Sequence, residues 1–160
     1  GQPSTDLAMV CGWGGSLRRA KEHGNILLTG AEKTELGILV FDVTSGPAGW
    51  VAENSDLVAK FLKVTADANA MWADEANHAM MLPAIAKDAG MDEAATADTM
   101  ATFVFPTVES QLSATWLGGG AQEFMKGVAD VFVNANSIDS ALDSYVGNVN
   151  TGPLEAANGM

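Results

Sequence analysis

The residues best placed to do chemistry are the glycines and the tryptophan of "CGWGGS", residues 11–16. Glycines between a strand and a helix let backbone N–H groups approach an anion at the helix N-terminus. The stretch is not a Walker loop, which needs GxxxxGK followed by Ser or Thr. It also fails the dinucleotide pattern GxGxxG, because Leu17 stands where the last glycine is required. We therefore expect no nucleotide site here.

Trp13 follows a predicted strand and precedes a predicted helix, and two interpretations of it are open. Ligands of open α/β sheets bind at the carboxyl ends of strands, where this indole could form an apolar wall or cover a small cation. The same ring could instead be packed in the core, and the pattern does not separate the two.

Asp42 interrupts "ILVFDVTS", an otherwise apolar run. Burying a carboxylate in such a run is costly unless the group is paired or hydrogen-bonded. Asp42 therefore either accepts backbone N–H groups in a structural role or binds a cationic ligand.

The other reactive side chains form no recognisable catalytic or metal-binding set. Cys11 is the single cysteine, which excludes an intrachain disulfide and a zinc site built on cysteines. A nucleophilic pair of Cys11 with a histidine would need a third, orienting group, and none is marked. His78, near Asp74 and Glu75, is a weak metal pattern. We expect no enzyme activity and no metal.

Three apolar runs predict the strands that would position these residues, over 5–11, 25–30 and 36–45. A helix over 16–24 would connect the first two, as a parallel sheet with a right-handed crossover requires. From residue 46 the spacing becomes helical. Helices are predicted over 55–73, 75–89, 91–103, 106–116, 121–135 and 138–145, followed by a loose tail from residue 151.

The charge of the chain is strongly and unevenly acidic, with a net charge of −12 over 160 residues. Residues 34–160 hold four Lys or Arg against seventeen Asp or Glu. Such a surface repels nucleic acid and anionic membranes. No apolar run reaches the ~18 residues of a membrane span. We therefore expect no nucleic-acid partner and no direct membrane insertion.

Four stretches together resemble one family. They are residues 11–45, 54–72, 82–118 and 137–145, which begin with "CGWGGSLRRA", "NSDLVAKFLK", "LPAIAKDAGM" and "SIDSALDSY". They look like the carboxyl-terminal portion of taurine-binding periplasmic proteins, the solute receptors of ABC-type taurine and sulfonate importers. The similarity is continuous over residues 5–157 and does not depend on one short motif.

The resemblance implies an α/β fold, the carboxyl-terminal half of a two-lobed periplasmic binding protein. A few short parallel-type strands would be followed by a mostly helical region. Residues 1–35 would be the strand–helix–strand end of the second lobe, and residues 36–45 a strand that crosses toward the first lobe. Residues 46–160 would be helices that pack on that first lobe. The chain would then be a fragment of the full receptor.

The resemblance also implies a function: binding of taurine or a related small sulfonate in the periplasm, and its delivery to the membrane subunits of an ABC importer. Trp13 resembles an aromatic residue that faces the cleft, and Asp42 resembles an acidic residue on the crossing strand that would meet the ligand's ammonium. Gly14, Gly15 and Ser16 could serve the sulfonate through backbone N–H groups, although in the family most sulfonate contacts come from the other lobe. Which sulfonate is bound stays open, and no cofactor is implied.

An enzyme of the same fold is the alternative, similar to the pyrimidine-precursor synthases of thiamine biosynthesis. Those enzymes carry a cysteine cluster and active-site histidines. This chain has one cysteine, so the sequence favours the binding protein.

Overall fold

The structure is a computed structural model that describes residue 12 and residues 14–160. Helices account for 62% of this part of the chain, and it contains no β-strand. The expected α/β fold with parallel-type strands is therefore wrong: the described residues form an all-helical fold.

Nine α-helices make up the regular structure of the described residues. They are α1 (Gly14–Lys21), α2 (Gly30–Glu35), α3 (Ala48–Glu53), α4 (Ser55–Ala73), α5 (His78–Ala89), α6 (Glu93–Met100), α7 (Val108–Leu112), α8 (Gly120–Asn134) and α9 (Gly152–Asn158). Two 3-10 turns lie at Glu75–Asn77 and Val146–Asn148. The helices predicted over 55–73, 91–103 and 121–135 are confirmed as α4, α6 and α8.

The strand predicted over 25–30 is absent because its last residues begin a helix instead. The Glu32 amide donates to Thr29 Oγ1 at 3.2 Å, and the Thr29 amide donates to Glu32 Oε2 at 2.7 Å. This reciprocal pair is a capping box, which fixes the start of α2. The Thr29 hydroxyl, and after it the Thr29 backbone N–H, lower the pKa of the Glu32 carboxyl.

The strand predicted over 36–45 is also absent, and residues 38–47 form no regular element. A strand needs a neighbour that exchanges backbone hydrogen bonds with it, and the described residues contain no such ladder. Val40 and Val43 are accordingly 58% and 60% exposed. The strand predicted over 5–11 lies outside the described residues.

The chain divides into two compact units. The first combines the described residues up to Glu32 with Asp74–Phe105, and the second combines Lys33–Ala73 with Pro106–Met160. In the first unit, α6 packs on α1 and α5. In the second unit, α9 packs along α4, and α3 also contacts α4.

The tail from residue 151, predicted to be loose, is ordered as α9. Pro153 lies in the first turn of α9, where its fixed φ and missing N–H are tolerated. Leu154 and Ala157 are buried, 6% and 1% exposed. The helix predicted over 138–145 is absent, and this segment of the second unit is irregular.

Candidate functional site

The predicted site residues at the start of α1 differ in how far they are buried. Trp13 lies outside the described residues, so its role stays a prediction. Gly14 is buried with φ of 53°, and its N–H donates to Thr102 Oγ1 at 3.2 Å. A Cβ added to Gly14 would lie 3.1 Å from Thr99 Cγ2. The N–H of Gly14 is therefore already bonded and is not offered to an anion.

Gly15 and Ser16 stay closer to solvent than Gly14. Gly15 is half-buried, with no heavy atom within 4 Å of the place a Cβ would occupy. Ser16 is exposed. Both lie in the first turn of α1, where backbone N–H groups lack partners within the helix. These two residues, and not Gly14, are the ones that could contribute N–H groups to an anion.

Asp42 is exposed in the irregular segment between α2 and α3. The sequence pattern predicted a carboxylate buried in a strand. This prediction is wrong, because residues 38–47 form no strand that could bury Asp42. The carboxylate makes no hydrogen bond or ion pair with other described residues. It is therefore accessible to a cation from solvent.

Phe41, the neighbour of Asp42, anchors the irregular segment. Its ring meets Trp116 edge to face, at a centroid distance of 5.6 Å and an interplanar angle of 81°. It meets the ring of Phe124 on α8 at 5.6 Å and 57°. Aromatic pairs at such distances favour these inclined geometries. The sequence analysis missed this cluster because the contacts join residues far apart in the chain.

The turn before α8 holds Trp116 in place. The amides of Gly118 and Gly120 donate to the carbonyls of Ser113 and Ala114, both at 2.9 Å. The Ala121 amide donates to the Trp116 carbonyl at 2.8 Å. The glycine-rich turn therefore sets the position of the indole against which Phe41 packs.

The predicted residues do not all belong to one unit. Gly14, Gly15 and Ser16 belong to the first unit, and Asp42 belongs to the second. The three residues of α1 form one helical turn of the first unit, and Asp42 is an exposed carboxylate of the second unit.

A groove that the sequence analysis missed lies in the second unit among α3, α4 and α9. Its volume is about 360 Å³. Its lining includes apolar side chains of all three helices together with Ser55, Asp56 and Asn150. Asn150 Oδ1 accepts the Gly152 amide at 3.1 Å, so it is engaged in the start of α9. The lining contains neither histidine nor cysteine, and it suggests no reaction.

The described part of the chain lacks two further kinds of feature. It contains no group of three or more His, Cys, Asp or Glu residues placed to hold a metal ion. None of its helices is long and apolar enough to cross a membrane. Comparison with known proteins gave no match to a family model, a curated protein or a solved structure.

Proposed function

We propose that the chain is part of a periplasmic receptor that binds taurine or a related small sulfonate and delivers it to the membrane subunits of an ABC importer. The receptor binds its ligand without chemical change. Two things support this proposal: the sequence resemblance over residues 5–157, and one structural observation, the exposed and unpaired carboxylate of Asp42.

The surroundings of Asp42 suit the ammonium end of such a ligand. An ammonium bound to a carboxylate makes a charge-assisted hydrogen bond, which is shorter and stronger than a neutral one. Val43 beside Asp42 is 60% exposed, so it offers apolar surface to the two methylene groups of taurine. Phe41 packs on Trp116 and Phe124, which limits the motion of the segment that carries the carboxylate.

The sulfonate end needs donors of a different kind. The resemblance implies that most of these donors come from the other lobe of the receptor, outside this chain. Sulfonate oxygens are bound well by backbone N–H groups at a helix start. On this proposal, residues outside the chain supply such donors and complete the site around Asp42.

Replacing Asp42 by asparagine tests the proposal. In the complete receptor that this proposal implies, Asp42→Asn should weaken taurine binding by about 1.5–3 kcal/mol, the usual scale for a hydrogen bond to a charged group. Binding of ethanesulfonate, which lacks the ammonium, should change far less. Isothermal titration calorimetry measures both affinities.

The control is Asp139→Asn, which removes an exposed carboxylate of the same unit. It should leave both affinities unchanged. If Asp42→Asn weakens taurine and ethanesulfonate equally, Asp42 is structural and the proposed ammonium contact is wrong.

A further inference from the structure

Helix α4, the longest helix of the described residues, has one apolar face that the rest of them leaves uncovered. Leu57, Phe61 and Val64 on this face are 57%, 55% and 69% exposed, and Ala68 is exposed as well. Their spacing of four, three and four residues places all four side chains on one stripe of the helix. We call these four residues the α4 stripe.

The opposite face of α4 is already packed. Ala59 is 2% exposed, and α9 packs along the helix. A helix that is apolar on two faces is typical of an element covered on both sides. Contiguous exposed apolar patches are uncommon on soluble monomers and mark interaction surfaces.

The α4 stripe follows the heptad pattern of paired helices. Leu57 and Val64 take position d, and Phe61 and Ala68 take position a, which form the seam between two helices of a coiled coil. Lys60 and Asp67 then both take position g, at the edge of the seam. Charges at this edge set the choice and direction of the partner helix.

We propose that the α4 stripes of two copies of this chain pack antiparallel and form a homodimer, with Lys60 of each copy beside Asp67 of the other. In an antiparallel pair the g positions of the two helices face each other, so the opposite charges meet twice. In a parallel pair position g faces position e, which here holds the uncharged Val58 and Thr65. The charges therefore favour the antiparallel direction.

Both charged side chains at this edge can reach a partner helix. Lys60 forms no ion pair with another described residue. Asp67 accepts from Lys63 of its own helix at 2.6 Å, yet its side chain is 58% exposed, so a second ammonium can reach the carboxylate.

The local charge of α4 permits self-association of an acidic chain. The net charge of the whole chain is −12, which opposes association in general. Helix α4, however, carries two lysines and two aspartates, so it is neutral. Charges beyond the Debye length of about 8 Å are largely screened at physiological salt. The α4 stripe is thus a surface where two copies can meet with little repulsion.

Sedimentation equilibrium of the full chain over a hundredfold concentration range tests the pairing. The mean mass should rise from that of the monomer toward that of the dimer. Phe61→Glu should raise the dissociation constant at least roughly tenfold, because it places a charge in the centre of the seam. The control is Phe132→Glu, which changes a phenylalanine of α8 that is 50% exposed and should leave association unchanged. Far-UV circular dichroism checks that both variants keep their helices.

Charge exchange tests the direction of the pairing. Lys60→Glu and Asp67→Lys should each weaken the homodimer, by roughly tenfold, because both charge pairs become repulsive. An equimolar mixture of the two variants should restore association, since every g position of one variant then faces a residue of opposite charge on the other. Lys87→Glu, an exposed lysine of α5, is the control. The proposal is overturned by a chain that stays monomeric throughout, or by a mixture that associates no better than either variant.

Discussion

Gly120→Ala is expected to cost roughly 3–5 kcal/mol of the stability of the second unit, from overpacking and lost hydrogen bonds. A Cβ on Gly120 would overlap the carbonyl oxygen of Thr115 and lie 2.7 Å from the carbonyl carbon. A movement of the turn that relieves this overlap would break a hydrogen bond, because the Gly120 amide donates to the Ala114 carbonyl at 2.9 Å. Displacing this turn would also move Trp116 away from Phe41.

The matched control is Gly127→Ala in the same helix. Gly127 is exposed, and no heavy atom lies within 4 Å of the place its Cβ would occupy. Alanine there should stabilise α8 by about 0.5–1 kcal/mol, since glycine is a poor helix former. Urea unfolding followed by tryptophan fluorescence compares both variants with the parent. Equal stability of the two variants would show that the turn before α8 is not closed as described.

Leu154→Ala should also be strongly destabilising, by about 2–4 kcal/mol. Leu154 is 6% exposed, and it is the largest buried apolar side chain among the described residues. The alanines buried in the same unit bury little area each, and they are Ala59, Ala121, Ala129 and Ala157. Loss of the leucine side chain therefore removes a large share of what holds α9 against α4.

Leu142→Ala is the control for Leu154→Ala. Leu142 is 55% exposed in an irregular segment of the same unit, and truncation there should change stability by less than about 0.5 kcal/mol. Urea unfolding gives the free energies, and hydrogen exchange shows whether the amides of α9 lose protection first. Similar losses at the two leucines would mean that α9 is not docked through Leu154.

Helices such as α4 and α8 could be predicted from the sequence because the apolar spacing that indicates a helix involves only residues close together in the chain. The apolar spacing over 55–73 and 121–135 is set by a period of 3.6 residues, and α4 and α8 follow it. The capping box of Thr29 and Glu32 was also readable, as a Thr followed three residues later by Glu. Because the strand prediction over 25–30 did not take this capping box into account, it was wrong.

The strands and the site depend on contacts that no local pattern records. An apolar run rich in valine, such as 36–45, forms a strand only when another strand pairs with it. Without that pairing, Asp42 is exposed where burial was expected. Its anchorage through Phe41 depends on Trp116, which lies in a different part of the chain. The burial of Leu154 could not be predicted either, because it depends on the packing of α9 along α4, which is distant in the sequence.

The most direct test of the proposed function is a calorimetric titration of taurine into the complete receptor that the proposal implies, with ethanesulfonate as the second ligand. We expect the receptor to bind one taurine, and to bind it more tightly than ethanesulfonate because of the ammonium contact with Asp42. Residues 1–160 alone should give no measurable heat, since the remaining contacts are missing. Absence of taurine binding to the complete receptor, or ethanesulfonate binding as tightly as taurine, would contradict the proposed function.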